Sequence, residues 1–270
     1  MNNDSPVKAL LVVLAVALVC SVLVSVANVL LKPVQFRNQL VEKSRNIMDL
    51  TGLVEPGQTL SDADMADAVK QLDMRVLDID AGRFSTAIDP ADYDARAARN
   101  DPELSVPIAA ADDLAAIGRR EQYAIVYLVW NDAQLQRIIL PVYGQAMWST
   151  LYGYIAIEAD LNTVAAMTFY EQAETAGLGD QVQSREWLAK WQGRKIYSES
   201  GDIRFRVSSG TVKADTPAAM YEVDVMTGAT ITGDAVTQLI RYWFGPQAYG
   251  KFIEQLQAQP LQRQSTGSIR

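Results

Sequence analysis

Thr230 closes the run Asp224-Val225-Met226-Thr227-Gly228-Ala229-Thr230, where a hydroxyl is well placed for phosphate chemistry. Gly228 and Ala229 carry too little side chain to shield the backbone, so a modifying enzyme can close around Thr230 and present its oxygen to a phosphoryl centre. Downstream, Gly233 to Gln257 reads mostly as helix, with Val236, Leu239, Ile240 and Trp243 recurring on one side. Thr230 therefore sits beside a helix N-terminus, where unpaired amides and the positive end of the dipole suit the single negative charge of a phosphodiester. It is a candidate attachment point for a phosphate-bearing cofactor. The plainer alternative is an ordinary turn in which Thr230 or Thr232 caps the helix.

A second run narrows the choice. Thr168-Phe169-Tyr170-Glu171-Gln172 is followed by Glu174-Thr175-Ala176-Gly177-Leu178-Gly179. The first motif resembles DxxTGAT, the acceptor sequence of flavin-transferase targets. The second is similar to the YEQxETPGLG region of the NqrC family, the C subunits of sodium-translocating NADH:quinone reductases. Ala176 stands where that family has proline, which leaves the loop less rigid. Gly177 and Gly179, which let a backbone approach a flat ring, are intact. The Asn-Asn-Asp-Ser opening and the Leu-Val-Cys-Ser of the apolar segment also resemble that family, and residues 55–113 match least.

The resemblance implies FMN carried covalently through a phosphoester bond to Thr230. It implies cofactor-binding or transferase-recognition roles for Asp224, Thr227, Gly228 and Ala229 and for Glu174, Thr175, Gly177, Leu178 and Gly179. Asp224 has a second reading, a turn residue accepting local backbone hydrogen bonds; for Glu174 the second reading is an exposed turn charge. The partners implied are the other subunits of a six-subunit sodium-pumping reductase, a flavin transferase for maturation, and membrane lipid. That assembly oxidises NADH, reduces ubiquinone and exports sodium. The G subunit of an Rnf-type electron-transport complex shares the flavin motif, although the long region between anchor and flavin domain argues for the quinone reductase. A non-redox, membrane-anchored scaffold is the reading from a different class.

Composition limits the other chemistries. The 270 residues include no histidine and one cysteine, so the usual zinc sites, haem ligation by histidine and cysteine-built iron–sulfur centres cannot be assembled from this chain alone. No catalytic Ser-His-Asp group is possible, and neither a Walker phosphate loop nor a GxGxxG after a strand is visible. Redox chemistry requires an organic cofactor, and NADH is not oxidised by this chain itself. No metal site is assigned. Between Glu55 and Asp113 there are fourteen acidic and five basic residues, while the rest of the chain is nearly balanced, so the net charge of −8 comes from this stretch. That sign opposes a nucleic-acid partner, and a solvated acidic lobe accounts for it.

Ala9 to Leu31 is uncharged and bounded by Lys8 and Lys32. As a helix it rises about 35 Å, enough to span a bilayer with modest tilt. Ser25-Val26-Ala27 offers a competing signal-cleavage site, but the apolar run is longer than a normal signal core. Lys32, Arg37, Lys43 and Arg45 oppose export by the positive-inside count. The family resemblance implies a bacterial inner-membrane protein with a cytoplasmic N-terminus and a periplasmic flavin domain. Cys20 lies inside the span and reads as a small packing residue.

The chain thus divides into a short N-terminus (1–8), a transmembrane helix (9–31), a juxtamembrane helix and acidic lobe (32–121), an FMN-binding domain (122–262) and a tail (263–270). Juxtamembrane helicity is expected around Gln35 to Leu50. Strands are expected at Tyr123 to Trp130 and Leu135 to Leu140 around an Asn131-Asp132 turn, and at Leu151 to Glu158 and Thr163 to Tyr170 around Asp160-Leu161-Asn162. A short helix from Ser184 to Trp191 and a strand at Ile203 to Val207 follow. The fold class is α+β: one N-terminal transmembrane helix, then a soluble domain with an antiparallel sheet flanked by helices. Tyr143, Trp148, Tyr152, Tyr154, Phe169 and Tyr170 are candidates to stack on a flavin ring, though strand aromatics more often pack sheets.

Overall fold

The computed structural model describes residues 6–53, 61, 63, 64, 68 and 72–263. The opening residues 1–5, most of the acidic lobe between 54 and 71, and the tail from 264 lie outside the described residues, as do the side chains of 27–44. The chain falls into two compact units, Met1–Lys43 and Ser44–Arg270.

In the first unit, helix α1 (Pro6–Thr51, which runs on into the second) begins with Val7–Val26, a stretch long and apolar enough to cross a membrane. All of its side chains in that stretch are exposed. An exposed apolar surface of this length needs lipid or a partner helix to cover it.

The second unit is built on a six-stranded antiparallel sheet in the order β2-β1-β5-β6-β7-β8. Its strands are β1 (Asp73–Asp78), β2 (Arg83–Ser85), β5 (Tyr123–Asn131), β6 (Gln134–Gln145), β7 (Thr150–Glu158) and β8 (Val164–Glu171). Between them lie α2 (Ala95–Asn100) and a small pair, β3 (Ser105–Pro107) with β4 (Arg119–Glu121). Asp132 and Leu161 adopt positive φ in the two hairpin turns expected from sequence. The sheet does not begin near residue 122: β1, from the expected acidic lobe, pairs with β5 along its whole length. β6 is also longer than expected, running past Pro141 to Gln145.

Both faces of the sheet are covered, which the period of two along the strands makes possible. Val126, Leu128, Ile138, Leu140, Val142, Ile155 and Ile157 point to the larger core, with the C-terminal helices and the buried Trp187, Trp191 and Phe205. The alternating Tyr127, Val129, Ile139, Tyr154 and Ala156 meet Ile47 and Leu50, near the end of α1, on the other face. Arg137 Nη1 donates to the Leu50 carbonyl at 3.0 Å, satisfying one of the orphan acceptors at that helix end.

After the sheet come a 3₁₀ turn (Gly179–Gln183), α3 (Arg185–Ala189), a two-residue parallel pair of β9 (Arg206–Val207) with β10 (Glu222–Val223), then α4 (Thr230–Trp243) and α5 (Gly250–Ala258). Two expectations change here. The strand at Ile203 to Val207 shrinks to Arg206–Val207, with Ile203 held in a single bridge to Tyr197. The helix read as Gly233 to Gln257 is two helices, broken after Trp243, because Pro246 brings no N–H and disfavours helical geometry in the residue before it.

Candidate functional site

Three loops converge at the start of α4. One is Met147-Trp148-Ser149 between β6 and β7, the second is Glu174–Gly179 after β8, and the third is Asp224–Thr230. Glu174 ties them together. Its Oε1 accepts from the backbone N–H of Trp148 at 2.9 Å and of Ser149 at 3.1 Å, and from Ser149 Oγ at 3.3 Å. Its Oε2 accepts from Thr232 Oγ1 at 3.0 Å. The residue is 8% exposed, so it is not the exposed turn charge that the alternative reading foresaw. Gly179 is required beside it: an added Cβ would lie 2.8 Å from both Glu174 Cβ and Thr232 Oγ1.

A second tie lies nearer the surface. Gln181 Nε2 donates to the carbonyls of Gly177 and Thr227, each at 3.1 Å, joining the two motifs directly. Gly228 has φ of +74°, a region that costs a side-chain-bearing residue about 1–2 kcal/mol, and its missing Cβ leaves room for Leu178 Cδ2 2.7 Å from that position.

Asp224 is held from outside the turn. Its Oδ1 accepts from the Val212 N–H at 2.6 Å and its Oδ2 from Lys190 Nζ at 2.9 Å, while its carbonyl accepts from Trp187 Nε1 at 2.8 Å. The Val212 amide, and then Lys190, hold its carboxyl below the ordinary carboxylate range. These bonds reach other segments, so the local-turn reading does not describe it.

Thr230 occupies the first helical position of α4, exposed, and among the described residues no hydrogen bond engages its hydroxyl. Neither cap of the alternative reading is formed: Ala229 is the N-cap residue without a side-chain bond, and the Thr232 hydroxyl is committed to Glu174. The Ala229 N–H bonds the Met226 carbonyl at 3.1 Å and the first intrahelical bond runs from Gly233 to Ala229, which leaves the amides of Thr230, Ile231 and Thr232 without carbonyl partners among the described residues. Thr227 and Thr175 are exposed on the neighbouring loops.

Around this turn lie large apolar side chains in water: Trp148 at 64% exposure, Ile231 at 58%, Met147 at 48% and Leu178 at 42%. Of the six aromatic candidates, Trp148 alone belongs to this cluster. Tyr143 is buried, donating to Glu121, and Phe169 packs on Trp191. Tyr152 lies beneath Arg96, and Tyr154 stacks with Tyr170. Gln181, Met147 and Ile231 escaped the sequence reading, and Thr232 entered it only as a cap. The site suits a phosphoryl-linked ring: a free hydroxyl, unpartnered amides beside it and exposed apolar surface close by.

The FMN-binding domain family matches residues 147–245. The C subunit of the Na(+)-translocating NADH-quinone reductase of Pseudomonas aeruginosa is 42% identical over 94% of this chain and 97% of that protein. Its counterpart from Yersinia pestis is 36% identical, covering 94% of each. The crystal structure of Shewanella oneidensis NqrC superposes with a TM-score of 0.73 at 31% identity, over 82% of this chain and 98% of that one. The chain belongs to the NqrC family, the C subunits of Na(+)-translocating NADH-quinone reductases.

Proposed function

We propose that this protein is the FMN-carrying member of a membrane complex coupling NADH oxidation and ubiquinone reduction to Na+ export, with the flavin joined by a phosphoester to Thr230. Membership of the NqrC family supports the assignment of complex over the Rnf-type G subunit. The observation that carries the linkage is the Thr230 hydroxyl, exposed and unbonded at the first position of α4. A phosphodiester there keeps one negative charge, which the amides and dipole of α4 stabilise.

When bound, the isoalloxazine accepts and releases electrons; the protein supplies position and electrostatics. Trp148, Leu178, Ile231 and Met147 offer the apolar surface against which a ring rests. Glu174 and Gln181 fix the loops bearing those side chains; Gly177 keeps the approach open, and Gly179 makes room for the contact of Glu174 with Thr232. Asp224 anchors the acceptor run to α3, so that Thr227, Gly228 and Ala229 are presented to the flavin transferase in a fixed shape. A covalent tether prevents loss of the cofactor in the periplasm, where we place the flavin domain, with α1 in the bacterial inner membrane and its N-terminus cytoplasmic. The partners are the other subunits of the six-subunit reductase and surrounding lipid.

The test is mass spectrometry on protein made together with its flavin transferase. The peptide bearing Thr230 should gain the mass of FMN less water, with fragmentation assigning it to Thr230 rather than Thr227. Unmodified peptide from that material would defeat the assignment and leave the anchored, non-redox scaffold. Thr230→Ala should lose the fluorescent flavin band on a denaturing gel while remaining in the membrane.

A further inference from the structure

Glu174 holds a carboxylate in the floor of the site with hydrogen bonds alone. Four donors from two other segments converge on it, all of them neutral: two backbone amides and two hydroxyls. Among the described residues no lysine or arginine pairs with it; Lys190, beside the acceptor run, is engaged with Asp224. Hydrogen bonds from dipoles stabilise a charge without cancelling it, and a charge screened from water acts over a longer range than one in solvent. Through Thr232 the carboxylate lies two residues from the proposed flavin anchor, and through the Trp148 amide it fixes the most exposed apolar side chain of the cluster.

We infer that Glu174 is the positioning residue of this site and the fixed negative charge that holds the flavin's reduction potential down. The inference rests on FMN being carried at Thr230. Two electrons from a reduced redox centre of a neighbouring protein in the complex and one proton from water convert the oxidised ring to its singly deprotonated reduced form. The ring thereby gains one negative charge. A neighbouring carboxylate opposes that gain, and removing its charge favours reduction.

Glu174→Gln separates charge from geometry. Its amide oxygen can still accept from Trp148 and Ser149, and its NH2 can donate to the Thr232 hydroxyl, which accepts as readily as it donates. The full-length chain is made with its transferase and compared with Glu174→Gln, Thr232→Val and, as a charge control in solvent, Asp234→Asn, an exposed position on α4. Gel fluorescence reports flavin loading, thermal melting of unmodified protein reports the fold, and spectroelectrochemical titration reports the potential.

Glu174→Gln should melt close to the parent, carry flavin, and shift the reduction equilibrium at least tenfold toward the reduced ring, about 30 mV for a two-electron couple. Thr232→Val keeps the charge but removes one of its donors, so its potential should move the other way; this arm decides the matter if the glutamine variant does not fold. Asp234→Asn should move it far less. An unchanged potential in loaded Glu174→Gln, a rise in Thr232→Val, or an equal shift in Asp234→Asn overturns the inference. A parent chain without fluorescence at Thr230 instead sinks the linkage itself, and the gel shows that before any potential is measured.

Discussion

Thr230 and Thr232 stand two positions apart in the first turn of α4, yet the Thr232 hydroxyl is spent on Glu174 and the Thr230 hydroxyl on none of the described residues. Exposed and unbonded, Thr230 contributes little to the fold, so Thr230→Ala should change unfolding free energy by no more than about 0.5 kcal/mol in urea titration of unmodified protein, even as it removes the flavin. Asp224 makes the opposite prediction. Its folded carboxyl titrates below the ordinary value of 3.8, so the fold favours the charged form. That stabilisation is complete above the unfolded value and is lost as pH falls through the folded one. The stability gap between the parent and Asp224→Asn should therefore be flat from neutral pH to about 5 and close below about 4, followed by denaturant midpoints across that range. A gap constant down to about pH 2.5 would mean that the charge is not what Asp224 supplies. Thr230 could be proposed from the sequence because residue type and local spacing single it out. The burial of Glu174 and the bridge made by Gln181 were not, because each depends on a partner 58 or 46 residues away.

Helix α4 carries the proposed acceptor at one end and Trp243 at the other, and its placement depends on the buried end. Trp243 is fully buried, donates from Nε1 to the Tyr143 carbonyl at 2.7 Å, and packs edge-on against the Tyr143 ring. Midway along, Thr237 Oγ1 accepts from the Val207 N–H, tying the helix to β9. Trp243→Ala should cost about 3–5 kcal/mol and lower flavin loading by the transferase, read as fluorescence per folded protein; undiminished loading would show that the acceptor turn keeps its shape without the helix behind it. The 3.6-residue recurrence of Val236, Leu239, Ile240 and Trp243 revealed this buried face in sequence. It did not reveal the break at Pro246, because buried residues continue with Phe252, Ile253 and Leu256 and disguise two helices as one. The strands were legible for the converse reason, since alternation and turn residues mark both hairpins. β1 was missed because its short apolar pair Val76-Leu77, which shows no clear alternation, sits among acidic residues that read as a solvated lobe.

At the scale of the whole chain, one helix carries two kinds of surface. Its first part, Val7–Val26, is wholly exposed, and its last turns send Ile47 and Leu50 into the second core of the sheet. A chain beginning at Ser44 therefore retains both cores and loses the stretch suited to lipid; it should be soluble without detergent and melt as cooperatively as the parent. A chain beginning at Leu53 discards Ile47 and Leu50, uncovering Tyr127, Val129, Ile139 and Tyr154 on the sheet. Each buried aliphatic side chain is worth about 1.5–3 kcal/mol, so the shorter chain should lose several kcal/mol in urea titration and bind hydrophobic dyes. Equal stability of the two would mean that the second face needs no helix, and the end of α1 would then be no part of what folds the flavin domain.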